Sequence, residues 1–202
     1  MSLSEHYYAE KPISIGRKEI ISDVVRGVAV EFIVEAGVFS RRRIDPGTKL
    51  LLESAVIPEE GNVLDVGAGY GVIGITIAKL NPKLKVYMVD INKRAVKLCK
   101  INAKLNKVED RTFIFHGNLY EPLPKNLRFN MIISNPPYSA GFNIVEKLVG
   151  DAKTWLKEKG TLQLVVRKGD KKLRKIMKET FGNAKVLASK SGYKVLLSVK
   201  ST

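Results

Sequence analysis

Residues 62–74 read NVLDVGAGYGVIG. A short apolar run interrupted by Asp65 leads into Gly67, Gly69 and Gly71, and a second apolar run follows. The first run predicts a strand buried on both faces. The glycines let the backbone turn tightly and let a ligand approach with no Cβ in the way. YGVIGITIAKL, residues 70–80, then predicts a helix. A strand, a glycine loop and a helix in this order form the usual seat of a nucleotide-like cofactor.

The same alternation continues outward. LKVYMVD (84–90) predicts a strand and NKRAVKLCKINAKLNK (92–107) a helix opened by Asn92. RTFIFHG (111–117) and FNMIISN (129–135) predict strands, and FNIVEKLVGDAKTWLKEKG (142–160) a helix closed by Gly160. TLQLVV (161–166) predicts a strand, KKLRKIMKETFG (171–182) a helix, and AKVLASK with YKVLLSVK a final strand pair. Apolar strands alternating with amphipathic helices predict an α/β fold, a mostly parallel sheet with helices on both faces. Upstream, RKEIISDVVRGVAVEFIVEAGVF (17–39) is rich in Val and Ile and predicts short strands or a hairpin. DPGTKLLLESAVI (45–57) predicts a helix capped by Asp45, with Pro46 at its first position. The expected organisation is a β-rich N-terminal extension over 1–45 and one α/β domain over 46–202.

Composition bounds the function. Of 202 residues 45% are hydrophobic, enough for a packed core, and the net charge is +15. That excess attracts polyanions, nucleic acid first among them, although a Lys-rich surface also suits heat tolerance. Cys99 is the single cysteine, which excludes an internal disulfide, fits a reducing cytosol, and reads as a buried inert thiol. His6 and His116 have no Cys/His cluster around them, so no metal site is expected. No run of 18 apolar residues and no signal peptide are apparent, so a cytoplasmic protein without a membrane partner is expected.

The glycine spacing is G-x-G-x-G; the dinucleotide pattern needs its third glycine where Val72 stands. Asp65 beside the glycines disfavours a diphosphate and suits a cofactor with a cationic amino group. Asp90 ends the second strand of the alternating unit, where an acid accepts both hydroxyls of an adenosine ribose. Further on, SNPPY (134–138) ends a buried strand in two prolines, which cannot continue it. The Asn135 amide oxygen and the Pro136 carbonyl can both accept hydrogens of one NH₂ group. The Tyr138 ring can stack on a flat base that has been extruded from its helix. Such a site favours a nucleophilic amine nitrogen and needs alignment and dipoles more than a strong base.

DVGAGYG, VDIN and SNPPY in this order resemble the class I methyltransferases that use S-adenosylmethionine. GVFSRRRIDPGTKLLLE ahead of the glycine loop and GYKVLLSV near the end are similar to the small-subunit ribosomal RNA guanine-N2 methyltransferases, especially their short archaeal relatives. The resemblance implies a Rossmann-like seven-stranded sheet with an antiparallel final strand. It also implies methyl transfer from S-adenosyl-L-methionine to the N2 amine of a guanine, in ribosomal RNA or a ribosomal particle. By the same resemblance Asp65, Gly67, Ala68, Gly69 and Gly71 hold the methionine half of the cofactor. Asp90 takes the ribose, Ile91 lies beside the adenine, Asn92 joins the cofactor-binding set, and Asn118 with Leu119 lies near the adenine amine. Phe39 and Thr48 close over the methionine end, and Asn135, Pro136, Pro137 and Tyr138 form the catalytic motif. Two departures stand out: bacterial members carry an additional N-terminal domain, and they often have Phe where this chain has Tyr138. The Tyr form is common in adenine-N6 and glutamine methyltransferases, so those acceptors and a transfer RNA guanine remain alternatives. A binding module without catalysis and a nicotinamide oxidoreductase are weighed too; the intact Asn135–Tyr138 run opposes the first and Val72 the second.

RKGDKKLRKIMK (167–178) carries seven basic residues and one acid beside the expected site, and SRRR (40–43) adds more; both are candidates for RNA contact. Lys93, Lys97, Lys100, Lys104 and Lys107 repeat at helical spacing and read as a solvated face. The oligomeric state is left open by the sequence.

Overall fold

The structure is a computed structural model that describes residues 18–35, 43–138 and 141–201. Phe39 and residues 40–42 lie outside these, so those expectations have no structural counterpart here. Strand β1 (Lys18–Val25) pairs antiparallel with β2 (Val28–Glu35) as a separate two-stranded sheet. Arg26 and Gly27 turn the chain with φ of 50° and 84°, a two-residue turn whose twist matches the strands it joins. The hairpin is no loose appendage. Ile21, Val25, Val30, Phe32 and Val34 are buried in one apolar core with three helices of the larger layer.

Its second strand is finished by side chains of helix α3 (Lys93–Leu105). Ile33 N donates to Asn102 Oδ1 at 2.8 Å and Asn102 Nδ2 donates back to Ile33 O at 3.0 Å. Glu31 N donates to Asn106 Oδ1 at 3.2 Å, and Asn106 Nδ2 returns a bond to Glu31 O at 2.6 Å. Two amides four residues apart thus satisfy the backbone groups that a third strand would. Asn102 Nδ2 also donates to Tyr70 O at 2.9 Å, which ties the hairpin to the glycine loop.

The main sheet has seven strands: β3 (Gly61–Val66), β4 (Leu84–Asp90), β5 (Thr112–His116), β6 (Phe129–Ser134), β7 (Leu156–Val166), β8 (Lys185–Lys190) and β9 (Tyr193–Val199). Their order is β5-β4-β3-β6-β7-β9-β8, parallel except that β9 runs antiparallel to both neighbours. This is the mostly parallel sheet that the sequence pattern predicts, with the antiparallel final strand that the resemblance implies. Helices α1 (Pro46–Ser54), α2 (Val72–Leu80) and α3 pack with the hairpin on one face, against residues such as Val63, Val86 and Met131. Helices α4 (Phe142–Trp155) and α5 (Asp170–Phe181) cover the other, against Leu64, Ile132 and Leu164. Neighbouring strand residues feed opposite cores, as the two-residue period of a strand requires.

The topology places the site. The chain steps outward from β3 to β4 and β5, then returns to lay β6 on the other flank of β3. Connections leave β3 and β6 in opposite directions, so a crevice opens at their carboxyl ends. Ser134 Oγ donates to Val66 O at 2.6 Å and closes the floor of that crevice.

One boundary differs from expectation. Helix α4 stops at Trp155, and the next strand begins at Leu156, which pairs with Phe129. Gly160 is therefore no helix cap. A Cβ there would lie 2.8 Å from Lys157 O and 3.0 Å from Phe129 O, so close backbone approach demands glycine inside the irregular start of β7.

Asn102→Ala would remove the side-chain partner of Ile33 N and Ile33 O and break the tie to Tyr70 O. A loss of about 2–4 kcal/mol in a denaturant titration is expected, against at most about 0.5 kcal/mol for Lys104→Ala on the exposed face.

Candidate active site

A cavity of about 320 Å³ lies at the crevice. Thr48, Gly67, Ala68, Gly69, Asp90, Ile91, Asn118, Leu119, Asn135, Pro136 and Pro137 line it, so candidate residues spread over 90 positions converge on one crevice. Asp45, Tyr70, Gly117, Ser134, Ile144 and Leu148 also line it and were not predicted there. Asp65, Gly71, Asn92 and Tyr138 are not among the lining residues.

The glycine loop forms the first wall. Gly67, Gly69 and Gly71 have φ of 72°, 59° and 99°, values that L side chains resist. Among the described residues nothing lies within 4 Å of the place a Gly67 Cβ would take, which leaves room for a ligand beside the loop. Gly71 caps α2, and a side chain there would collide with Ile75 and Cys99. Gly67 N and Ala68 N donate to Val89 O at 2.8 and 3.0 Å, joining the loop to β4. Asp90 Oδ2 accepts Gly69 N at 2.7 Å, and Oδ1 accepts Asn92 N at 2.8 Å. Asn92 in turn caps α3 by accepting from Arg94 N and Ala95 N.

Asp65 sits beneath the loop, fully buried, with Oδ2 accepting Gly74 N at 2.9 Å and Oδ1 without a hydrogen-bond partner among the described residues. Burial pushes its carboxyl up to about 7; the Gly74 N–H opposes the rise and the charge of Asp90 adds to it. Cys99, close by, is buried and its thiol is pushed up by burial, as an inert core cysteine should be.

The second wall is the Asn135–Tyr138 turn. Asn135 Nδ2 donates to Thr48 Oγ1 at 2.9 Å and to Asp45 Oδ2 at 3.2 Å. Both amide hydrogens are thereby engaged, and Oδ1 remains as the acceptor. The Pro136 carbonyl accepts Tyr138 N at 3.0 Å, which fixes its angle. Tyr138 takes a different place from the expected stacking platform. Its hydroxyl donates to Val165 O at 3.0 Å, its ring packs 6.2 Å from Phe142, and burial pushes its hydroxyl up. The ring braces the turn against β7 and α4.

The far wall is apolar: Ile91, Leu119, Ile144 and Leu148. Leu119 has φ of 49°, a strained value for a branched side chain, and Asn118 Nδ2 reaches Glu121 at 3.3 Å. Outside the cavity, Arg167 and Lys168 follow β7 on the same sheet edge, and Lys171, Arg174 and Lys178 continue along α5, all exposed. Lys172 pairs with Glu146 at 3.0 Å, Lys175 with Glu179 at 3.8 Å and Lys194 with Asp170 at 2.5 Å. The lysines of α3 are exposed on its outer face, opposite the core, as expected of a solvated stripe.

A doubly wound sheet with a glycine loop and an Asn-Pro-Pro-Tyr turn at one switch point defines a class I methyltransferase fold. Residues 29–197 match the family described as methyltransferase small domain, and the chain belongs to it. The chain is 34% identical to the protein YbxB of Bacillus subtilis over 98% of this chain and 100% of that one. It is 34% identical to ribosomal RNA small subunit methyltransferase C of Hamiltonella defensa, over 79% of this chain and 47% of the relative, so it spans about half the length of that relative. It is 43% identical to the release factor glutamine methyltransferase of Aquifex aeolicus, over 53% of this chain and 38% of the relative. Among solved structures it superimposes, with a TM-score of 0.81 and 28% identity, on the Thermus thermophilus 16S rRNA N2 G1207 methyltransferase in complex with AdoMet and guanosine, covering 94% of this chain and 52% of that one.

Asp65 generates a pH prediction. Its folded pKa lies above the unfolded value of 3.8, so the native state holds the proton more tightly and stability falls as pH rises between about 4 and 7. A shift of this size corresponds to roughly 4 kcal/mol. Asp65→Asn should therefore raise the melting temperature at pH 8 and change it little at pH 4, in thermal scans across that range.

Proposed function

We propose that this chain transfers a methyl group from S-adenosyl-L-methionine to the exocyclic N2 amine of a guanine, in ribosomal RNA. The observation that carries the reading is the fixed amide of Asn135, whose Oδ1 is left as an acceptor beside the Pro136 carbonyl. The cofactor's shape suits the residues present. Its ribose hydroxyls fit the Asp90 carboxylate, its adenine fits the apolar slot of Ile91, Leu119 and Leu148, and its methionine end fits the open side of Gly67. S-adenosylmethionine, when bound, supplies an electrophilic methyl carbon. The chain's own residues do the rest. Asn135 Oδ1 and Pro136 O accept the two amine hydrogens and turn the nitrogen lone pair away from the base ring. They would then face the positive charge that grows on nitrogen as the N–C bond forms and the sulfur–methyl bond breaks, with neutral S-adenosylhomocysteine as the leaving group. The methylated amine would lose its extra proton to solvent. The apolar walls keep water away, and no strong base is required before attack.

The base and the acceptor molecule rest on the relatives: a guanosine complex at 28% identity, and ribosomal RNA methyltransferases that this chain matches over about half their length. The +15 charge and the exposed basic side of α5 support an RNA acceptor, and cytoplasmic residence follows from that substrate. No described helix is long and apolar enough to cross a membrane. A protein glutamine is the second reading, favoured by the 43% identity to the release factor enzyme over 53% of this chain.

Labelled transfer to RNA from cells lacking this protein, followed by nucleoside mass spectrometry, decides the base. N2-methylguanosine is expected; N6-methyladenosine or transfer to protein alone would overturn the guanine reading. Asn135→Ala should cut turnover by about 10²-fold and leave cofactor affinity within a few fold. Replacing Lys171, Arg174 and Lys178 together with Gln should weaken RNA binding and flatten the slope of log K against log salt by about 2–3, in titrations at several salt concentrations.

A further inference from the structure

We propose that Asp45 and Thr48, at the start of α1, are positioning residues that set the direction and strength of the Asn135 acceptor. The inference rests on the methyltransferase reading, in which Asn135 Oδ1 meets the amine hydrogens. A side-chain amide can present either its oxygen or its NH₂ group, and the two ends have nearly the same size. With the NH₂ group facing the crevice, donors would oppose the amine hydrogens and repel the charge that develops there. Here the two amide hydrogens are taken by two acceptors, the Asp45 carboxylate at 3.2 Å and the Thr48 hydroxyl at 2.9 Å. A rotated amide would put its carbonyl oxygen against a carboxylate. The wrong orientation is thus opposed at both ends.

The carboxylate also acts through the amide. Accepting from Nδ2, it draws density toward Oδ1 and makes that oxygen a better partner for a nitrogen turning cationic. The first turn of α1 is held well enough to serve as a reference. Asp45 Oδ2 accepts Thr48 N at 3.0 Å, Ile44 is buried, and the Tyr193 ring lies so close to Gly47 that a Cβ there would come within 2.6 Å of it. The helix cap and the catalytic turn therefore share one carboxylate oxygen across 90 residues of sequence.

The variants that test this are Asp45→Asn, Thr48→Val and Thr48→Ser, each in the native and the Asn135→Ala background. Asn is as good a helix cap as Asp, so Asp45→Asn removes the charge and keeps the helix start. Asp45→Asn and Thr48→Val should lower kcat by about tenfold or more, since small misplacements at a reacting centre are costly. Cofactor affinity should change by less than about twofold in Asp45→Asn, because the glycine loop and Asp90 carry it. Thr48→Ser, which keeps the hydroxyl, should recover what Thr48→Val loses. On the Asn135→Ala background neither substitution should lower kcat further, since the group they act through is gone. Equal losses in both backgrounds would overturn the proposal. A second readout needs no acceptor: the Asn135 side-chain amide resonances in ¹⁵N spectra. They should be shifted and slow to exchange in the native protein and lose both properties in Asp45→Asn. Unchanged resonances would overturn the inference whatever the substrate, whereas a native protein inactive on every RNA would overturn the RNA reading alone.

Discussion

The Asp90 carboxylate is shared between two turns. One oxygen receives Gly69 N of the loop after β3, and the other receives Asn92 N of the turn into α3. Those bonds hold the glycine loop at a fixed height over the carboxyl ends of β3 and β4, and the cavity exists because the loop stays there. The loop's outer end is tied as well, through Tyr70 O to Asn102 and from Asn102 to β2. The hairpin is therefore part of the support for the cofactor wall.

The opposing wall is built by the same logic with different groups. A buried carboxylate steadies the first, and a partly exposed carboxylate, Asp45, steadies the second. Between them Ser134 closes the floor on Val66 O. Methyl transfer asks mainly for alignment and for dipoles matched to a moving charge, and a rigid crevice with fixed acceptors supplies both. The apolar far wall completes a slot for a flat ring.

Much of this was legible in the sequence because its determinants are local. Short apolar runs, glycine punctuation and the Asp45-Pro46 start announce the strands, turns and α1 within a few residues. The glycine loop, Asp90 and the Asn135–Tyr138 turn could be placed together because α/β topology brings strand carboxyl ends to one edge. What escaped is long-range. Asp45 reads as a helix cap, and nothing nearby reveals that its oxygen also meets Asn135. Asn102 and Asn106 fall inside the segment predicted as a helix, and only the fold shows them facing the edge of β2. Gly160 reads as a helix stop because glycine serves both caps and close approaches. Tyr138 reads as a stacking ring, and its bond to Val165 O depends on a strand that comes 27 residues later.

The most direct test of the account is a structure of the protein with S-adenosylhomocysteine and guanosine. The account predicts the guanine N2 atom within about 3 Å of both Asn135 Oδ1 and the Pro136 carbonyl oxygen. A guanine that presents O6 or N7 to Asn135, with N2 turned away from both acceptors, would contradict it.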